Sequence, residues 1–171
     1  GKVLDDTMQL ATAVLDASAS ALMLIDRDTG DLVFEYTHGE MGALLRKQRT
    51  RQNEGIAGWV ASNGVPVIVN DVHQDPRFSP KVDARTGFLT KSVLCVPIKI
   101  RGTIVGVLEA LNKRSETGFD AEDMSLMLTT ANQAAVAIEN AQLYQSLRDE
   151  RDRIIRAQED VDDGQIAAVA V

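Results

Sequence analysis

Residues 70–123 carry the densest polar chemistry of the chain. The stretch reads Asn70-Asp-Val-His-Gln-Asp-Pro-Arg-Phe78, then Val82-Asp-Ala-Arg-Thr-Gly-Phe-Leu-Thr90, then Ser92-Val-Leu-Cys-Val-Pro-Ile98. Gly106-Val-Leu-Glu-Ala-Leu-Asn-Lys113 and Phe119 to Asp123 close it. Carboxylates, hydroxyls and amides alternate with apolar segments that can wall a pocket. That pattern suits the holding of a small ligand. The parts of a catalytic engine are missing. Cys95 lies between Leu94 and Val96, an apolar setting in which a thiol stays protonated and inert. His38 and His73 are far apart in sequence, so no metal ligand set is read, although Asp71 and Asp75 beside His73 could draw a cation. No Gly-rich phosphate cradle followed by Lys occurs, and Gly55-x-x-Gly58 is too short to count as one.

Composition narrows the class. The chain has 171 residues and 44% hydrophobic content, enough for one domain with an extension. A net charge of −7 argues against a nucleic-acid surface, which needs clustered cations to displace counterions. The basic run Arg46-Lys-Gln-Arg-Thr-Arg51 reads as a solvated strand face, since no aromatic interleaves with it. A single cysteine permits no intramolecular disulfide. No apolar run approaches the ~18 residues of a membrane span, and the N-terminus carries Asp5 and Asp6 where a signal peptide would be basic and then apolar. The expectation is a cytoplasmic chain. It opens on Gly1 rather than Met, as a segment cut from a longer protein would.

The elements that must position the polar stretch follow from periodicity. Met8, Leu10, Ala11, Val14 and Leu15 predict an amphipathic helix over about 3–17. Ala21–Ile25 and Leu32–Tyr36 flank the turn Asp28-Thr-Gly-Asp31 and predict a hairpin. Residues 43–50 are a weaker strand candidate. Gly55–Ser62 predicts a short helix stopped by Asn63-Gly64, with Trp59 packed in the core and Val65–Val69 as the next strand. Residues 70–90 form a long connection broken at Asp75-Pro76 and Ser79-Pro80, and connections of that length tend to be functional. Strands 92–100 and 103–112 meet at Arg101-Gly102.

The last element is the longest. Asp120 and Asp123 form a variant capping box, and a helical pattern then runs without Pro or Gly to Gly164. Its first half, 124–141, is apolar and should lie on the sheet. In its second half Leu147, Ile154 and Val161 are seven apart, with Leu143, Glu150 and Ala157 on the other seam positions. Asp149 with Arg153 and Asp152 with Arg156 predict i,i+4 ion pairs. Residues 162–171 fit neither pattern and are expected to be poorly ordered.

Over residues 8–147 the chain resembles the GAF domain family of small-molecule sensing modules. The resemblance rests on Glu54-Gly-Ile-Ala-Gly-Trp-Val-Ala61, Asn70-Asp71, Asp75-Pro-Arg-Phe78, Thr86-Gly-Phe88, Val96-Pro-Ile98, Gly102, Gly106-Val107 and Ala137-Ile-Glu-Asn-Ala141. It implies an α+β fold in three layers: a central antiparallel sheet, terminal helices on one face, and a ligand-pocket layer of loop and helix on the other. It also implies a homodimer paired through the terminal helices. Within the family the chain is most similar to the cyclic-nucleotide-binding members of phosphodiesterases and adenylyl cyclases. Their Asn-Lys…Phe…Asp-Glu pattern is met by Asn112, Lys113, Phe119 and Asp123, with Met124 in place of the final Glu. The resemblance makes Lys113 and Asp123 a structural ion pair that supports the pocket. It makes Asp83, Thr86, Thr90 and Glu109 polar ligand contacts, puts Ile56 and Ala57 near a phosphate, and adds Asn70, Asp71 and Phe78 to the ligand-binding set. Ala21, Thr37, His38 and Ser79 depart from the base-reading residues of one subgroup, and the lost aromatic at Ser79 removes a stacking contact. Relatives that reduce methionine sulfoxide use several cysteines, and bilin-binding relatives use a Cys next to a His; Cys95 fits neither.

The expected function is therefore a non-catalytic sensory domain of a signalling protein. Residues 1–20 would be an N-terminal dimerisation helix, 8–147 the sensor, and 148–171 a coiled-coil signalling helix with its tail. The ligand would be cyclic AMP or cyclic GMP, and the output domain a two-component histidine kinase, a cyclase, a phosphodiesterase or a transcription regulator. The alternative is a dimerisation and relay module with a vestigial pocket.

Overall fold

A computed structural model describes residues 2–40, 45 and 48–170. Six strands form one sheet: β1 (Ala17–Ile25), β2 (Leu32–Gly39), β3 (Arg49–Thr50), β4 (Val67–Val69), β5 (Val93–Ile100) and β6 (Thr103–Lys113). Their spatial order is β3-β2-β1-β6-β5-β4, and every pairing is antiparallel. The helices are α1 (Lys2–Leu15), α2 (Gly55–Asn63), α3 (Lys81–Thr86) and α4 (Ala121–Ala170). This is the expected α+β architecture, with β1 and β6 at the centre.

Alternation along the central strands sorts side chains to two faces. Ala19, Ala21 and Met23 of β1 join Val107 and Leu111 of β6, Val93 and Cys95 of β5, and Ile56, Ala57 and Val60 of α2 in one buried cluster. The intervening residues face the terminal helices. Ser20 shares a 2.6 Å hydrogen bond with Thr12 of α1, and Leu22 and Leu108 are fully buried on that side. Leu4, Met8, Ala11 and Leu15 of α1 and Met127, Ala131 and Ala134 of α4 supply the facing layer.

Several boundaries differ from expectation, each for a local reason. α1 ends at Leu15 because Asp16 takes a φ of 54°. β1 starts four residues earlier than its apolar run, because pairing with β6 holds Ala17, Ala19 and Ser20. Small residues show little hydrophobic period, yet here they are buried. Of the candidate strand 43–50, Arg49–Thr50 forms β3, while residues 43, 44, 46 and 47 lie outside the described residues, as do Arg46 and Lys47 of the basic run. Arg49 is paired with Asp26 at 2.7 Å. The Arg101-Gly102 connection has φ values of 52° and 80°, the left-handed pair a two-residue primed turn requires. The connection 70–90 contains a 3₁₀ turn at Val72–Gln74 as well as α3.

The chain divides into two compact units, Gly1–Val136 and Ala137–Val171. In the second, helix continues through Gly164, where the sequence pattern stopped, to Ala170. A glycine there costs only about 1 kcal/mol relative to alanine, less than a break would. The expected i,i+4 pairs are replaced: Arg153 bonds Glu150 at 2.6 Å, and Asp149 accepts from Gln145 at 2.8 Å.

In the first unit, the end of β6 ties three elements together. Lys113 Nζ donates to the Leu15 carbonyl at 2.7 Å and lies 3.1 Å from Asp123 Oδ1, with both side chains largely shielded. Asp120 and Asp123 cap α4 reciprocally, each backbone N–H donating to the other's carboxylate at 3.0 and 2.9 Å. Asp123→Ala removes the cap and strands a shielded ammonium, so a loss of about 3 kcal/mol is expected. Urea unfolding checks this, and Asp123→Asn, which keeps an acceptor, should lose less.

Candidate ligand-binding site

The pocket-side layer is built by short elements with specific ends. Gly64, in the left-handed region at φ 70°, closes α2 through a 2.8 Å bond from its N–H to the Val60 carbonyl. Gly87 does the same for α3, at φ 76° and with a 2.8 Å bond to the Asp83 carbonyl. The segment between them is strapped to α2. Asp75 accepts from both Arg77 Nε (2.9 Å) and Nη2 (2.6 Å), and the guanidinium sits 4.5 Å from the centre of the half-buried Trp59 ring. The Arg77 bond holds the Asp75 carboxyl below its ordinary pKa. His73 meets Phe78 edge-on at 5.8 Å. Among the described residues no three or more His, Cys, Asp or Glu side chains are grouped so as to hold a metal ion.

A cavity of about 70 Å³ lies between this layer and the sheet. Of the residues proposed from sequence, it brings together Ile56, Ala57, Phe78, Asp83, Thr90 and Glu109. Thr50, Glu54, Ser79, Met23 and Phe34 also line it. Three expected ligand residues are elsewhere. Asn70 bonds the Phe119 backbone, accepting its N–H at 2.9 Å and donating to its carbonyl at 3.1 Å. Asp71 caps the 3₁₀ turn through His73 N–H at 3.2 Å. Thr86 donates to the Val82 carbonyl at 2.9 Å, one turn back on its own helix, and lines a separate surface groove with Lys91 and Arg114.

Within the cavity the polar groups are arranged around two carboxyls. Asp83 is fixed by Thr90, whose N–H and hydroxyl each donate to it at 2.8 Å. Thr90 is held in place from behind. Asn112, at φ 58°, accepts from Lys91 N–H (2.6 Å) and Ser92 N–H (3.2 Å) and donates to the Leu89 carbonyl (2.8 Å). Glu109 stands on the cavity face of β6 opposite Ala21 and Cys95, and is only 8% exposed. Burial first, and the negative Asp83 second, push its carboxyl up to about 7. Burial, with Glu109 adding to it, likewise raises the Cys95 thiol well above its ordinary value, the reverse of an activated nucleophile. Glu54 is satisfied by Ser79 Oγ (3.3 Å), Arg51 N–H (3.3 Å) and Lys81 Nζ (3.6 Å). It does not cap α2 with its side chain, so the positive end of that helix faces the cavity wall at Ile56 and Ala57.

Asn112, Glu54, Thr50 and Ser79 were not singled out as site residues from sequence. Asn112 had a signal, as a member of the Asn-Lys pattern. Glu54 stood in the Glu54–Ala61 run but reads there as a helix boundary. Ser79 had one too, as the position where the resemblance puts a stacking aromatic, and Thr50 carries no local signal.

An antiparallel sheet covered by terminal helices on one face and by a loop-and-helix layer on the other is the α+β frame that holds this cavity. The GAF domain model matches residues 1–138, and the chain belongs to that family. It is 30% identical over 155 residues to the probable 3',5'-cyclic phosphodiesterase pde-5 of Caenorhabditis elegans, covering 85% of this chain and 21% of that protein. It is 42% identical over 102 residues to the dual 3',5'-cyclic-AMP and -GMP phosphodiesterase 11A of Takifugu rubripes, covering 58% of this chain and 11% of that protein. The chain thus spans about a fifth or less of these relatives. Among solved structures it resembles the GAF domain of an Acinetobacter phosphoenolpyruvate-protein phosphotransferase (TM-score 0.72, 19% identity, 84% of each chain). It also resembles the GAF-B domain of DevS from Mycobacterium smegmatis (TM-score 0.68, 19% identity, 85% of this chain and 97% of that one).

The raised Glu109 carboxyl carries a stability consequence. Below about pH 4.5 it is protonated folded or unfolded. Between there and about 7 the folded state holds a proton that the unfolded state has released, so stability falls as pH rises. The full cost, about 3 kcal/mol, is reached above pH 7. Glu109→Gln removes this slope, so the variant should gain stability over the parent at pH 8 and lose that gain toward pH 4.5, as read by urea unfolding at the two pH values.

Proposed function

We propose that the chain is a non-catalytic, cytoplasmic sensory domain that binds a cyclic-nucleotide-like ligand and signals through α4 to a linked output domain. The observation that carries this is the convergence of Ile56, Ala57, Phe78, Asp83, Thr90 and Glu109 on one cavity. Its two ends differ in polarity. The α2 N-terminus suits a phosphate, and the carboxyl pair suits the N–H edge of a base. Relatives named as cyclic-nucleotide phosphodiesterases support the same ligand class.

A site for a ligand of this size needs roughly 300 Å³ or more. The cavity has about 70 Å³, so the segment bearing Phe78 and Ser79 must move outward, loosening the Arg77 strap on Trp59. Leu143, Leu147, Ile154 and Val161 expose a seam at coiled-coil spacing. We propose that it pairs two copies of the chain and carries the change to a kinase, cyclase, phosphodiesterase or transcription regulator.

The small cavity, with the Thr86 hydroxyl given to its own helix, favours a second reading: a dimeric relay whose pocket is vestigial. Thermal unfolding with cyclic AMP and cyclic GMP separates the two. A ligand at a hundred times its Kd adds about 2.7 kcal/mol, a rise on the order of 5–10 °C for a domain of this size. Sensing predicts that rise for one cyclic nucleotide and not its linear monophosphate, with Thr90→Val abolishing it. A flat response in protein shown by native mass spectrometry to be ligand-free leaves the relay.

A further inference from the structure

The cavity lining carries carboxylates and hydroxyls but, among the described residues, no Lys, Arg or His. Its carboxyls are not equivalent. Glu54 has three donors around it, from Ser79, Arg51 and Lys81. Asp83 has two, both from Thr90. Glu109 lies deeper, on the central strand, with Ala21 and Cys95 as its cross-strand neighbours and Val107 and Leu111 two residues away along β6. None of those four carries a strong donor. The charged or titratable groups facing Glu109 are therefore Asp83 from α3, Cys95 from β5 and, at the α2 cap, Glu54 with its partner Lys81. Like charge from Asp83 and burial both disfavour a second anion at this depth.

We propose that the Glu109–Asp83 pair is a proton-exchanging recognition site for a cationic or N–H-rich group, an amidinium, guanidinium or amino-purine edge, which enters as Glu109 gives up its proton. This deepens the sensory reading by naming the chemistry of the deep end of the site, and it rests on that cavity being the ligand site. An ionised Glu109 needs donors, and its cross-strand neighbours Ala21 and Cys95 offer no strong one. A planar group with paired N–H donors supplies them, a cationic one also offsets one of the two negative charges, and either suits the Phe34 and Phe78 rings that line the same cavity. A ligand offering only acceptors at this end meets the protonated acid instead and shows the opposite pH dependence. Raising pH through neutrality thus favours the N–H-rich ligand, and the ligand in turn lowers the affinity of Glu109 for its proton by linkage.

The test uses methylguanidinium and cyclic GMP as probes, followed by carboxyl ¹³C NMR of the whole chain. With methylguanidinium the Glu109 midpoint should fall from near neutrality by at least one pH unit, and affinity should rise about tenfold per unit up to the free midpoint. Glu109→Gln should flatten that profile. Proton release on binding, measured on the unmodified protein by calorimetry in two buffers of different ionisation enthalpy, gives the same readout without relying on a variant. An unmoved midpoint, absence of methylguanidinium binding at pH 8.5, or an identical profile in Glu109→Gln overturns the proposal. Proton-coupled methylguanidinium binding with no response to cyclic GMP keeps this inference and removes that nucleotide as the ligand. Cyclic GMP binding with a fixed Glu109 midpoint does the reverse.

Discussion

The two residues that end β6 constrain most of the first unit. Asn112 turns its side chain to one side and gathers the backbone of Leu89, Lys91 and Ser92, which sets the position of Thr90. Lys113 turns to the other and binds the last carbonyl of α1 and the capping carboxylate of α4. Strand alternation alone would put Lys113 on the face of Glu109 and Leu111; the φ of 58° at Asn112 breaks it there, so one dipeptide fastens the pocket layer and the helix layer to the same strand. A left-handed φ at Asn112 is tolerated because asparagine adopts it more readily than most residues.

Three residues inward along the same strand, Glu109 faces the cavity. The strand that positions the helices therefore also carries the most buried carboxyl of the candidate site. In the proposed reading, movement of the pocket layer on ligand entry would bear on Thr90, whose neighbours Leu89 and Lys91 are bonded to Asn112, and Lys113 is the next residue. In that reading the continuity would be the route from ligand to helix, and a ligand would drive it only by its differential affinity for two arrangements.

Much of this was legible in sequence where one residue type has one cheap solution. Asp120 and Asp123, three apart before an apolar run, could hardly do other than cap. Arg101-Gly102 between two branched strands specified a tight turn. Glu109 stood alone as an acid in an apolar strand. What was hidden depended on competition between nearby partners. Thr86 and Thr90 look alike in sequence, but a helical Thr can bond the carbonyl one turn back, and only Thr90 lies beyond the helix where Asp83 can be reached. Asn70 was drawn to the backbone of Phe119, 49 residues away, a contact no local pattern reports. Thr50 reaches the cavity through tertiary placement alone. Gly164 was taken as a stop because its cost is visible in sequence, while the hydrogen bonds that outweigh it are not.

The central claim is that ligand enters the cavity on the β6 face and is read by the groups gathered there. Amide chemical-shift mapping during titration with cyclic GMP and cyclic AMP tests it most directly. The largest changes should fall on Ile56, Ala57, Asp83, Thr90 and Glu109, with smaller ones spreading to Asn112 and Lys113. Changes confined to the groove around Thr86, Lys91 and Arg114, or none at all, would contradict it.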